Sequence, residues 1–191
     1  MSVFKKENRE LFLKKVSADV TPKILHKTKW FEVRSKDGWE YLHGRKASAG
    51  VAVLVFNEKK KEVIGRFESV PCHDPGHYLV ALTGMLDKEK DDPKKTAVRE
   101  LKEEAGITAK EEELIDLGYI YPHKDSDYSL LLYGLDGKDK KLGRATTDGS
   151  EAEKNAYVRW VPVKEAVASH APSIGVSLAK LAILGINLLQ E

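Results

Sequence analysis

Residues 84–107 read GMLDKEKDDPKKTAVRELKEEAGI, and the last part, RELKEEAGI at 99–107, crowds Glu100, Glu103 and Glu104 together ahead of Gly106. Asp92 offers an N-cap oxygen, Pro93 suits a first helical turn and Gly106 suits a left-handed exit, so the spacing predicts a helix over 93–105. Val98, Leu101 and Ala105 fall at i, i+3 and i+7 and form its expected buried stripe. The glutamates fall at i, i+3 and i+4, which sets three carboxylates on one face. Like charges at that spacing destabilise a helix by about 0.2–0.5 kcal/mol per pair. A hard divalent cation, Mg2+ or Mn2+, converts the repulsion into coordination because such ions take oxygen ligands. Arg99, one turn before Glu103, is spaced to hold a glutamate and offset part of the charge. A solvated helix face, with Lys102 among the acids, explains the same residues without a metal.

The flanking segments read mostly as strands. Residues 30–35 (WFEVRS) and 38–46 (GWEYLHGRK) form a hairpin through SKDG, and 49–56 (AGVAVLVF) is a buried central strand. EVIGRFES at 62–69, YLVAL at 78–82, DLGYIY at 116–121, YSLLLYG at 128–134 and AYVRWVPV at 156–163 continue the pattern. Residues 4–16 read as a short amphipathic helix, and PVKEAVAS and SIGVSLAKLAILGINLL read as closing helices. Many strands with few helices between them predict an α+β fold with a mixed sheet.

Composition narrows the function classes. A net charge of +2 over 191 residues lacks the basic stripe of a dedicated nucleic-acid binder. The lysine runs at 59–61 and 138–141 read as polar turns. One cysteine, Cys72, rules out an internal disulfide and fits a reducing, cytoplasmic setting. MSVFKKENRELFLKKV has no apolar core of a signal peptide, and Ile174–Leu189 is interrupted by Lys180, glycines and Asn187. No membrane partner is expected.

The run from Gly84 to Ile107 resembles the Nudix box: Gly, five residues, Glu, seven residues, then Arg-Glu-aliphatic-x-Glu-Glu-x-Gly-aliphatic. Gly84, Arg99, Glu100, Leu101, Glu103, Glu104, Gly106 and Ile107 fall into that frame. Two departures stand out. Asp91 occupies the place of the first glutamate, and the loop before it is one residue longer than the pattern, with Glu89 as an alternative acid. The likeness runs from about residue 48 to 168. It implies an α/β/α sandwich with a mixed sheet over 48–191, including a C-terminal helix. It also implies an N-terminal extension over 1–47, carrying a small hairpin, that serves dimerisation.

The resemblance further implies hydrolysis of the diphosphate bond in a nucleoside diphosphate joined to another moiety. Glu100, Glu103 and Glu104 become metal ligands, with the Gly84 carbonyl as an additional one and Arg99 orienting the glutamates. The general base is either a helix glutamate or an acid of the late TTDGSEAEKNAYVRW segment, where Glu151 ranks ahead of Glu153. Pro122, sixteen residues beyond Gly106, and the aromatic hairpin ahead of AVLV and VIGRFES resemble the branch acting on ADP-ribose and nucleotide sugars. By analogy with that branch, Arg66 contacts phosphate, Trp30, Trp39 or Tyr41 stacks on a base, and the chain forms a homodimer. VALTG before the box departs from the branch's usual acid and proline. His73, Asp74 and His77 have no tight zinc spacing and read as loop residues. His123, Asp125 and Asp127 face substrate or form a hairpin turn. Other Nudix substrates (dinucleoside polyphosphates, nucleoside triphosphates) and a non-catalytic nucleotide sensor are the alternatives.

Overall fold

Strand β4 (Ala49–Asn57) is the spine of the molecule, and its alternation builds both cores. Val51, Val53 and Val55 face one way into a cluster with Leu101 and Ala105. Ala52, Leu54 and Phe56 face the other way, against Ile174, Leu178 and Leu181. The computed structural model that shows this describes residues 21–70, 72, 76–86, 91–146 and 155–189.

The large sheet is mixed, as expected from the sequence. Its path is β10 (Tyr157–Pro162), β5 (Glu62–Ser69), β4, β9 (Ser129–Asp136) and β8 (Ile115–Ile120). β4 and β9 are parallel, while the other pairings in the sheet are antiparallel. The expected strand at 78–82 is two short strands. β6 (His77–Val80) pairs with β5 and β7 (Leu82–Met85) pairs with β4, so the chain changes partner at Ala81. Helix α1 (Pro93–Ala105) covers one face, while α2 (Val163–Val167) and α3 (Pro172–Ile183) cover the other.

A separate sheet of β1 (Lys23–Lys27), β2 (Phe31–Lys36) and β3 (Trp39–Gly44) precedes this sandwich. The β2–β3 turn is Asp37-Gly38, with φ of 52° and 79°, the left-handed pair that a two-residue hairpin demands. β1 adds a strand that the hairpin reading did not contain. The PHKDSD segment serves this sheet: Leu42 N–H donates to the Asp125 carbonyl at 2.8 Å, and Asp127 N–H donates to Leu42 O at 3.1 Å. His43 Nδ1 lies 2.7 Å from the Asp127 carboxylate. The expected helix at 4–16 lies outside the described residues, as do His73 and Asp74.

Candidate functional site

The sequence sets the ends of α1 as read. The Asp92 side chain accepts from Lys94 N–H at 2.8 Å and Lys95 N–H at 3.3 Å. Gly106 closes the helix at φ 64°, its N–H donating to Lys102 O at 3.0 Å. The buried stripe differs from the expected one. Ala97, Leu101, Glu104 and Ala105 are buried, and Val98 is only partly so.

Glu104 belongs to that stripe because two groups on neighbouring strands satisfy its carboxylate. Arg66 of β5 forms an ion pair with Oε1, and Thr83 N–H of β7 donates to Oε2 at 2.9 Å. The side chains of Arg66 and Glu104 are each only 6% exposed. Burying a lone carboxylate is prohibitive, whereas a paired and hydrogen-bonded one is tolerated. Arg66 reaches the helix because β5 alternates: Ile64, Arg66 and Glu68 share the face that α1 covers, and Val63 and Phe67 face α3. Arg66 Nε also pairs with Glu68 at 3.0 Å.

The other two glutamates converge on Arg99. Its Nη2 lies 2.7 Å from Glu100 Oε1 and its Nη1 lies 2.6 Å from Glu103 Oε2. Exposure rises from 6% at the Glu104 side chain to 12% at Glu100 and 40% at Glu103. The triad thus runs from interior to solvent across one turn.

Gly84 contributes space. A Cβ built on it would stand 2.5 Å from the Glu100 carboxyl carbon, so the lack of a side chain lets Glu100 lie against β7. Leu86 N–H donates to Ala49 O at 3.0 Å, which identifies that pair as hydrogen-bonded. By the alternation of an antiparallel ladder, Gly84 then bonds Val51, while Thr83 turns its N–H and C=O away from β4. The backbone carbonyl expected from Gly84 is therefore directed into the sheet, and that of Thr83 faces outward beside Glu104. Tyr128 closes the far side of this strand end, its ring carbon Cζ 3.1 Å from the place a Gly50 Cβ would occupy. Burial pushes the Tyr128 phenol above its usual range.

The donor set fits a hard divalent cation. It is all oxygen, it is anionic, and Gly84 supplies a cradle that a Cβ would fill. Among the described residues no three Asp, Glu, His or Cys side chains are gathered round one point. The reason is visible in the contacts: one arginine draws Glu104 inward and another holds Glu100 and Glu103.

The remaining sequence candidates are dispersed. Trp30 is half-exposed in the β1–β2 connection, with Lys46 Nζ 4.2 Å and Lys29 Nζ 5.0 Å from its ring. Pro122 lies in the β8–β9 connection, and Asp91 immediately precedes the N-cap. Glu89, Glu151 and Glu153 lie outside the described residues. Sequence reasoning missed the segment that leads toward Glu151. Gly143 N–H donates to Ala105 O at 3.0 Å and Thr146 N–H to Glu103 O at 2.8 Å, so this connector docks on the end of α1. It also missed Glu68 and Thr83. The period-two pattern of β5 was the available signal for Glu68, and none existed for Thr83.

Nudix hydrolase 14, chloroplastic, of Arabidopsis thaliana is 36% identical over 131 residues, 60% of this chain and 42% of that protein. The chain thus matches less than half of that relative's length. The NUDIX domain family model matches residues 46–181, well over half of the chain. With a mixed-sheet sandwich, the box helix and its glycine cradle in one frame, the chain belongs to the Nudix family, whose hydrolases act on pyrophosphate bonds and generally use divalent metal ions.

Proposed function

We propose that this protein is a Mg2+-dependent pyrophosphatase, with Mn2+ as an alternative ion. Its substrate is a nucleoside diphosphate linked to a second moiety, ADP-ribose or a nucleotide sugar, and its products are a nucleoside monophosphate and a sugar phosphate. The observation that carries the reading is the α1 triad set against the Thr83–Gly84 backbone, with both arginines in contact. Glu100, Glu103 and Glu104 hold the cation, together with the Thr83 carbonyl, the outward-facing one of the Thr83–Gly84 pair. When bound, the cation screens the charge of the diphosphate and stabilises the charge developing in the transition state.

The chain's own groups do the rest. Arg99 fixes the directions of Glu100 and Glu103, and Arg66 lies on the same face to meet phosphate. Glu151 is the proposed base that takes a proton from the attacking water. Thr146 is anchored to Glu103 only five residues earlier, a span of at most about 18 Å when extended. Pro122 and the aromatic hairpin, Trp30 included, favour the ADP-ribose and nucleotide-sugar branch. The extension over 1–47 is proposed to pair two copies into a homodimer. Exposed Ile24, Leu25, Phe31 and Leu42 on the small sheet support this. Among the described residues no helix is long and apolar enough to cross a membrane. The single cysteine and the weak net charge support a cytoplasmic enzyme of small molecules rather than of nucleic acid.

A substrate panel with Mg2+ tests the proposal, using ADP-ribose, nucleotide sugars, dinucleoside polyphosphates and nucleoside triphosphates. AMP and ribose 5-phosphate as dominant products are expected. Glu103→Gln and Glu104→Gln are each expected to lower turnover by orders of magnitude. Tight nucleotide binding with no turnover of any panel member makes the protein a sensor instead.

A further inference from the structure

Arg66 is the one buried cation among the described residues, and it lies against the buried carboxylate of the triad. Both Glu104 oxygens are engaged, Oε1 by the guanidinium and Oε2 by Thr83 N–H. A cation approaching Oε1 meets a full positive charge already in contact with it, in a place where solvent screens little. Arg99 is a weaker obstacle because its side chain is 52% exposed and its pairs are screened by water. Arg66 also has a second carboxylate within reach. Nε lies 3.0 Å from Glu68, two residues along the same strand face, so the guanidinium keeps a partner if it leaves Glu104.

We infer that Arg66 is a built-in counter-ion that holds Glu104 in the metal-free protein and passes to Glu68 when a divalent cation is loaded. The inference rests on the proposed metal site and adds a positioning residue that sets the site's cation affinity. Two consequences follow from the geometry. The fold keeps its buried carboxylate paired without metal, and the cation binds more weakly than the oxygen donors alone allow.

The test uses Mn2+ alone, titrated into metal-free protein with free Mn2+ followed by electron paramagnetic resonance. Thermal unfolding is recorded with and without the ion. Arg66→Met keeps an unbranched, flexible side chain, shorter than arginine, and removes the charge. It is expected to bind Mn2+ at least ten-fold more tightly than wild type, to melt lower without metal, and to recover most of that loss at saturating Mn2+. Arg66→Lys keeps a positive charge beside Glu104 and is expected to stay within about three-fold of wild type. Unchanged or weaker Mn2+ binding in Arg66→Met overturns the inference, as does a melting deficit that Mn2+ leaves intact. Glu68→Gln supplies a test that does not require Arg66→Met to fold. It is expected to weaken Mn2+ binding at least three-fold, and unchanged or tighter binding overturns the inference. In the Arg66→Met background the same change is expected to have little effect, because Glu68 acts through Arg66. Wild type that takes up no Mn2+ overturns the functional proposal as well. Wild type that binds, with Arg66→Met unchanged, overturns the counter-ion role alone.

Discussion

Gly84→Ala separates the site's geometry from the stability of the fold. Gly84 does not have a positive φ, so alanine fits the backbone and the effect comes from contact alone. The new Cβ would stand 2.5 Å from the Glu100 carboxyl carbon, and the obstacle is a side chain that can rotate away. Forcing Glu100 off its rotamer costs about 0.5–1.5 kcal/mol. Loss of its half-exposed pair with Arg99 adds about 1 kcal/mol at most. At about 2–4 °C per kcal/mol for a chain of this size, Tm falls by roughly 1–10 °C. Catalysis responds more strongly, since a misplacement of about 1 Å costs on the order of 100-fold in rate. Scanning calorimetry and steady-state hydrolysis of the panel's best substrate measure the two effects side by side. A variant keeping more than half of wild-type turnover would show that Glu100 does not need this cradle. A collapse of Tm far beyond that range would show that the strand, not the glutamate, absorbs the contact.

Gly106→Ala meets backbone rather than side chain. Its φ is 64° and the added Cβ would stand 2.5 Å from Gly143 Cα and 2.8 Å from Arg144 N. Left-handed strain alone costs about 1–2 kcal/mol, so calorimetry is expected to show a larger Tm loss than for Gly84→Ala. Asp92→Ala removes the α1 cap and is expected to cost about 1 kcal/mol in urea unfolding while turnover stays near wild type. Tyr128 gives an alkaline signature. Its folded pKa is raised by burial, so its contribution is fully present below the phenol's ordinary range and is lost as pH rises through the folded value. Urea midpoints between pH 8 and 11 are expected to fall more steeply for wild type than for Tyr128→Phe; equal slopes would refute the assignment.

Much of this architecture is legible in the chain because local and global signals agree. β4 announces itself through a continuous apolar run, and α1 through Asp92, Pro93 and Gly106. The hairpin is legible in Asp37-Gly38, where only a left-handed turn closes two residues. What escapes the sequence depends on tertiary partners. KILHK at 23–27 has too few apolar residues to declare a strand and becomes one by pairing with β2. The exchange at Ala81 depends on β5 and β4 being neighbours, which no local window contains. Helical period puts the glutamates on one side of α1 but does not rank their burial. Glu104 goes inward because Arg66, remote in sequence, has a buried guanidinium to satisfy.

Charge balance explains why the crowding on α1 is sustainable and what it is suited to receive. Glu100, Glu103 and Glu104 repel one another at helical spacing, and Glu68 adds a fourth carboxylate through its contact with Arg66. Arg66 and Arg99 offset two of these charges. Two negative charges remain, which one divalent cation neutralises and a second turns positive. A diphosphate approaching the uncharged site is no longer repelled, and one approaching the doubly loaded site is attracted. Without the arginines, the same number of ions would leave the site two charges more negative, and the buried Glu104 would lack its partner. In the proposed metal site the two guanidinium groups therefore act on both stages, allowing the acidic helix to fold and setting the number of cations at which an anionic substrate becomes welcome.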